Sequence, residues 1–296
     1  MKSTQPSITI IGRGAVGSAL SDSLRHLGYP IISEWTRSNG TLWDLEIGKQ
    51  QFLKRSLPNN ENEIGDWVFI TTPDDQISKV CEELSEISLD WPQHSVIHCS
   101  GGLSSDVCIS LSDKGAKTAS MHPIQTFTRT PSDSPDIKSE GRKRFDDITI
   151  SLEGDDELTR RLEKFVKQMG ARPLRINAQQ KQQIHLSAVF ASNYMVSLMA
   201  AAERILKEAG IEEGLQILHP LINQTLANII ENGPAGALTG PVSRGDVSTI
   251  NTHLENITNQ SDRELYQILG SRALNLAKQS GKISDDEVQQ LKKLLE

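Results

Sequence analysis

Ser7-Ile8-Thr9-Ile10-Ile11-Gly12-Arg13-Gly14-Ala15-Val16-Gly17-Ser18-Ala19-Leu20 decides the fold of this 296-residue chain. A short apolar, β-branched run reads as a buried strand, and Ala15 to Leu27 reads as the helix behind it, ending at Gly28. Between them stands Gly-x-Gly-x-x-Gly. These glycines let the chain turn sharply and leave room for a pyrophosphate against the backbone. The free N–H groups at the helix start then face a pyrophosphate. A ligand-free turn accounts for Gly12 but not for Gly14, so Gly12, Arg13, Gly14, Ala15, Val16 and Gly17 are expected to hold a dinucleotide.

The next segments extend this into a doubly wound α/β domain. Pro30 to Trp35 reads as a strand followed by a turn at Thr36-Arg37-Ser38. An NAD site is expected to place an acidic residue near here to bind the ribose hydroxyls. This turn instead offers a guanidinium between two hydroxyls, which suits a 2′-phosphate and favours NADP over NAD. Glu34 is the residue that argues for NAD. Leu42 to Phe52 is read as a short helix. Trp67 to Ile70 is a strand whose end should bring Thr72 and Pro73 beside the cofactor, with Asp74 expected to cap the helix Gln76 to Ile87. Ser95 to His98 and Lys117 to Met121 are further strands, running into Ser100-Gly101-Gly102 and His122. Thr128 to Gly141 reads as an exposed loop. Asp147 to Leu152, Asp155 to Met169 and Arg172 to Ile176 read as strand, helix and strand.

At Asn177 the texture changes, and apolar residues recur at helical spacing to the end. The expected organisation is a nucleotide-binding domain over 1–176 and an all-α domain over 177–296. A long helix runs from Asn177 to about Glu208 and should be buried on most faces from Ala188 to Ala202. Later helices span Glu212 to Glu231, broken at Pro220, then Asp246 to Gln260, Asp262 to Ala277 and Asp285 to Leu295. Ser261 and Ser284 each begin a capping box.

Net charge −7 argues against nucleic acid or an anionic membrane as partner. No apolar run reads as long enough to span a bilayer, and the polar residues ahead of Ser7 are too few for a signal peptide. Cys81, Cys99 and Cys108 lack metal-ligand spacing, so no metal is expected, and they suit a reducing cytoplasm.

Chemistry is expected from polar residues at the strand ends and on the long helix. Lys181 and His185 are spaced i, i+4 on one face, with Asn193 further along, whose amide is expected to hold the reacting oxygen. A His or Lys there is able to exchange a proton with a small carbonyl, imine or hydroxy acid while hydride moves. His185, Lys181 and His122 are alternative donors, and His122 or Ser100 would form the opposite wall. Ser100 and Gly101 are expected at the substrate, and Ser100 at the cofactor as well. Arg244 is read either as a clamp on a substrate anion or as a structural ion pair, and Asp246 as a helix cap. The alternative to an enzyme is a protein that binds NADP without turnover.

The whole chain resembles the Rossmann-like proteins with a DUF2520 helical domain. The matching features are Gly-Arg-Gly-Ala-Val-Gly at Gly12, Thr-Thr-Pro-Asp-Asp at Thr71, His-Cys-Ser-Gly at His98 and His-Pro-Ile-Gln-Thr-Phe at His122. In the helical half they are His185 through Asn193-Tyr194 and Leu238 to Asp246. More remotely it is similar to the 6-phosphogluconate dehydrogenase-like superfamily, which includes β-hydroxyacid dehydrogenases, ketopantoate reductase, pyrroline-5-carboxylate reductase and F420-dependent NADP reductases. The resemblance implies nicotinamide-dependent redox chemistry on a small, anionic substrate and a homodimer paired through the helical domain. One departure stands out: β-hydroxyacid dehydrogenases place a catalytic Lys and Asn one turn apart, whereas here His185 follows Lys181.

Overall fold

The computed structural model describes residues 5–38, 42–47, 50–54, 57–58, 61–127, 144–281 and 283–296. The chain divides into two compact units, Met1–Ser192 and Asn193–Glu296. The strands end near Asn177, but the compact first unit continues past it and takes in the first helix after the last strand.

Among the described residues, the first unit is built on one nine-stranded sheet. Its strands are β1 (Ile8–Ile11), β2 (Ile31–Ser38), β3 (Leu42–Ile47), β4 (Gln50–Lys54), β5 (Trp67–Ile70), β6 (Ser95–His98), β7 (Lys117–Pro123), β8 (Thr149–Gly154) and β9 (Arg172–Arg175), in the order β4-β3-β2-β1-β5-β6-β7-β8-β9. Strands β2, β1, β5, β6 and β7 pair in parallel, while β8 runs antiparallel to β7. Sequence order reverses at β1, which puts the end of β1 at the switch point where such sheets bind ligands.

Both faces of the sheet are covered, which is why its central strands are apolar throughout. Ile8, Ile10, Trp67 and Phe69 pack on one side with α1 (Ala15–His26) and the Phe165 side of α4 (Asp156–Gln168). Ile11, Val68 and Ile70 pack on the other with α2 (Asp74–Ser85) and the short α3 (Ile109–Ser112). Successive strand residues point to opposite faces, so each four-residue strand feeds both cores.

Three local expectations are corrected here. Thr36-Arg37-Ser38 is not a turn but the end of β2, and Leu42 to Phe52 is not a helix but the hairpin β3–β4 that continues the sheet. The signal for the hairpin is the period-two alternation Trp43-Asp44-Leu45-Glu46-Ile47. Asp74 does not cap α2. Pro73 occupies the cap position, and Asp74 is the first residue of the helix. The loop expected over Thr128 to Gly141 lies outside the described residues.

Asn177 caps α5 (Ala178–Ala188) through a reciprocal box with Gln180. The helical stretch from Ala178 to Glu208 is long and apolar enough by length and composition to cross a membrane, contrary to the expectation that no run reaches that length. Its Lys181 is nevertheless buried in the first unit. The expected long helix is interrupted by a π-helical turn at Val189–Asn193.

The second unit contains α6 (Tyr194–Glu208), α7 (His219–Ala237), α8 (Val247–Asn256), α9 (Gln260–Gln279) and α10 (Asp285–Leu295). The expected helix is interrupted at Pro220: a 3-10 segment, Gly214–Leu218, ends just before it, and Pro220 sits in the first turn of α7, where its missing N–H costs nothing; a further break falls at Gly233, before Pro234. Asp246 caps α8 and Ser284 caps α10 with a capping box, whereas α9 is capped by Asn259 rather than Ser261. The core of this unit is Val242, Ile250, Leu254, Leu274, Leu291 and Leu295. Helix α6 buries none of its residues in the single chain, contrary to the expectation for Ala188 to Ala202. That core is assembled from the later helices and does not include α6.

Phe165 is 1 % exposed and meets Tyr29, Trp67 and Phe69 by edge or tilted ring contacts. Phe165→Ala is expected to lower the unfolding free energy by about 3–5 kcal/mol, read as a lower denaturant midpoint with an unchanged slope.

Candidate active site

The chain leaves β1 through Gly12, whose φ of +103° favours glycine. A Cβ there would stand 2.8 Å from the backbone of Thr71 and Thr72, and one on Gly17 would collide with the Gly12 carbonyl. These two glycines bring α1 and the end of β5 against the turn. Gly14 differs: a Cβ on it would meet nothing within 4 Å. Its bare backbone faces open space at the start of α1, which has no side-chain cap. A cleft of about 430 Å³ opens there, lined by Gly12, Arg13, Gly14, Ala15 and Val16 together with Thr36, Thr71, Thr72, Pro73 and Gln76. Bare backbone, uncapped N–H groups and a positive dipole end suit a diphosphate. Thr71 and Gln76 were not singled out from the sequence. The Arg37 and Ser38 side chains lie outside the described part of the structure.

Elsewhere in the same unit, β6, β7 and α5 converge. Lys181 is 1 % exposed. Its ammonium donates to the Ser100 carbonyl and to Ser120 Oγ, each at 2.6 Å. Ser120 pairs with His98 across β6–β7, which sets its hydroxyl beneath the loop that leaves β6. Burial pulls Lys181 down to about 8, against the attraction of Glu153, Cys99 and Asp74.

Ser100 Oγ donates to Asp74 Oδ2 at 2.7 Å and accepts from the N–H groups of Gly102 and Leu103 at 3.2 and 3.0 Å. The hydroxyl therefore holds the loop in shape. Above that loop, a Cβ on Gly101 would lie 2.5 Å from His185 Nδ1 and 2.8 Å from His122 Nε2. Two imidazole nitrogens thus converge on one point, and only glycine leaves it free. Burial, then Lys181 and His185, lower His122 to about 4, so it is neutral at pH 7.

His98 serves a different purpose. It is fully buried, accepts from the Ser100 N–H at Nδ1, and its Nε2 lies 3.1 Å from the Ser104 carbonyl. Nδ1 as acceptor assigns the proton to Nε2, and burial lowers the group to about 3. Glu153 is buried nearby and accepts from the backbone and hydroxyl of Ser105.

Of the residues singled out from sequence, Ser100, Gly101, His122, Lys181 and His185 come together in this unit. Asn193 and Arg244 belong to the second unit, both exposed. Sequence reading missed Ser120 and the link from Asp74 to Ser100. A serine inside the apolar run Ala119-Ser120-Met121 is the signal that was available for the first.

Residues 148–273 match the family described as Domain of unknown function (DUF2520). The match begins in β8, so it includes the last two strands as well as helices. No curated protein matches the chain by sequence. Among solved structures, a Bacteroides fragilis protein described as a candidate NADP oxidoreductase is 19 % identical, with 92 % of this chain and 98 % of that one covered and a TM-score of 0.71. A Thermotoga maritima protein is 22 % identical over 93 % and 99 %, with a TM-score of 0.64. An imine reductase from Myxococcus stipitatus in complex with NADP+ is 12 % identical over 98 % and 100 %, with a TM-score of 0.55. At these identities the likeness is one of fold: a Rossmann-type sheet followed by helices.

Lys181 makes stability depend on pH in a defined window. Below about pH 8 the folded lysine is charged and its burial penalty is fully present. Between about 8 and the ordinary value of 10.5 the unfolded chain holds the proton and the folded chain does not, so unfolding free energy rises with pH. Relative to Lys181→Met, the wild type is expected to gain at most about 3 kcal/mol across that window, measured by denaturant titration at each pH. A flat difference would contradict the buried ammonium.

Proposed function

We propose that the protein is an NADP-dependent oxidoreductase acting on a small carbonyl, imine or hydroxy acid. The observation that carries this reading is the pairing of two features in one unit: a glycine-walled cleft, and a loop on which two imidazoles and a buried ammonium converge. The names of the solved relatives support it, since one is described as a candidate NADP oxidoreductase and another was solved with NADP+. The donor set fits the cofactor, because Gly14 leaves its backbone open and the α1 N–H groups have no side-chain cap. Gly12 to Val16 would hold the diphosphate, with Thr36 and Arg37 at the adenosine end and Thr72 and Pro73 beside the dinucleotide. When bound, the nicotinamide supplies or accepts hydride.

The chain's own residues do the rest. Lys181 spends two of its protons on Ser100 and Ser120, so it locks the loop that carries Gly101. His122, neutral at pH 7, is an acceptor or donor but not a cation. His185 is half-buried and is assigned the proton transfer to or from the reacting oxygen or nitrogen. Lys181 is the alternative donor, through its remaining proton. The free thiols Cys81, Cys99 and Cys108 suit a reducing compartment.

The test is turnover of NADPH with keto acids, aldehydes and cyclic imines, and of NADP+ with hydroxy acids. His185→Ala is expected to bind cofactor normally and lose about 10²–10⁴ in rate. Tight NADPH binding with no turnover of any of these would favour a sensor instead.

NADPH should bind more tightly than NADH. Arg37→Ala should cut that preference by about ten- to a hundred-fold, the worth of a charge-assisted hydrogen bond. Calorimetry with both cofactors decides, and equal affinities in the wild type would refute it.

The second unit is proposed to pair with a second copy. Val196, Leu221, Ile230 and Ile268 are 68, 64, 87 and 62 % exposed on helices of this unit. So much apolar surface calls for a partner. Light scattering at micromolar concentration is expected to report a dimer, and Ile230→Glu is expected to weaken it.

A further inference from the structure

Glu34 bears on what the end of β2 is able to recognise. It stands in β2 opposite Ile10, two residues before Thr36, which lines the glycine cleft. Its side chain is 2 % exposed. Oε2 accepts from Arg25 of α1, while Oε1 lies 3.8 Å from Arg13 Nε and accepts no hydrogen bond among the described residues. A carboxylate enclosed in this way has no face left for a ribose diol, and it functions as a counter-ion.

Arg13 is the middle residue of Gly12-Arg13-Gly14 and lines the same cleft as Thr36. Residues two apart on a strand share a face, so Thr36 and Glu34 lie on the side over which Arg13 reaches. Asp22 of α1 completes the group: burial raises its carboxyl, while Arg144, Arg13 and Arg25 oppose the rise. The guanidiniums of Arg13, Arg25 and Arg144 thus all act on Asp22, and a cluster of guanidiniums suits an anion rather than a hydroxyl pair.

We infer that Arg13 recognises a phosphate on the adenosine ribose, and that Glu34 positions Arg13 for it. This rests on the NADP reading above and adds a second specificity residue to Arg37. The acidic residue that would favour NAD is turned into an anchor for the arginine that favours NADP. A guanidinium suits the task, because its planar fork meets phosphate oxygens two at a time.

The experiment is calorimetric titration of wild type, Arg13→Ala, Arg13→Lys and Glu34→Gln with NADPH, NADH and 2′,5′-ADP. The last carries the 2′-phosphate without the nicotinamide. Arg13→Ala is expected to weaken NADPH and 2′,5′-ADP about ten- to a hundred-fold and to weaken NADH far less. Arg13→Lys should recover part of the loss, and Glu34→Gln should weaken NADPH severalfold with NADH unchanged. Arg13 retains 30 % side-chain exposure, so Arg13→Ala should melt with the wild type even if Glu34→Gln does not. The inference is overturned if Arg13→Ala weakens NADPH and NADH equally, or weakens neither. It is also overturned if Glu34→Gln selectively destroys NADH binding, which would make Glu34 a ribose ligand. A wild type that binds NADPH while Arg13→Ala changes nothing defeats this inference alone. A wild type that binds neither cofactor defeats the NADP reading and this inference with it.

Discussion

A buried ammonium needs acceptors, because an unpaired charge in a dry interior costs several kcal/mol. Lys181 finds two, one a backbone carbonyl from the loop after β6 and the other a hydroxyl from β7. That requirement ties the first helix after the sheet to the ends of two strands. It also draws α5 into the first compact unit, although the strands have already ended. The loop that Lys181 holds is held again by the Ser100 hydroxyl, which is fully engaged by Asp74 and by two backbone N–H groups. The two imidazoles are then placed by rigid neighbours rather than by chance.

The cleft at Gly12 to Val16 is organised by a different constraint, the absence of side chains. Gly12 and Gly17 have no room for a Cβ, and Gly14 has room that nothing fills. The first two let helix, strand and turn approach, and the third leaves backbone exposed where they meet. Charge is arranged around this gap with the same economy. Glu34 is closed off by Arg25 and Arg13, so the acidic residue that invites a reading as an NAD determinant is withdrawn from the surface.

What could be read from residues alone follows the range of the interaction. The opening strand, the glycine turn and α1 are local, and each was legible because turn chemistry, period and capping all act within a few residues. The same holds for Asn177, Asp246 and Ser284 as helix caps. Errors arose where a distant partner decided. The run Leu42 to Phe52 has enough apolar residues for a helix, yet it extends β2 as a hairpin, because a helix this short is marginal without packing whereas the edge of β2 offers a ready template for pairing. Sequence position suits Asp74 to a cap, but Ser100, from another strand end, engages its carboxylate.

The sequence by itself determined the glycine cleft, the parallel α/β order and the list of polar residues available for chemistry, since these depend on spacing along the chain. Only the tertiary structure decided their roles. It buried Lys181 against Ser120, which lies 61 positions away, and turned Glu34 inward. It also set His122 and His185 around a point that Gly101 keeps free. The reason is that burial and convergence are properties of packing between elements distant in sequence, and no local pattern of residue types encodes which distant group will be the partner.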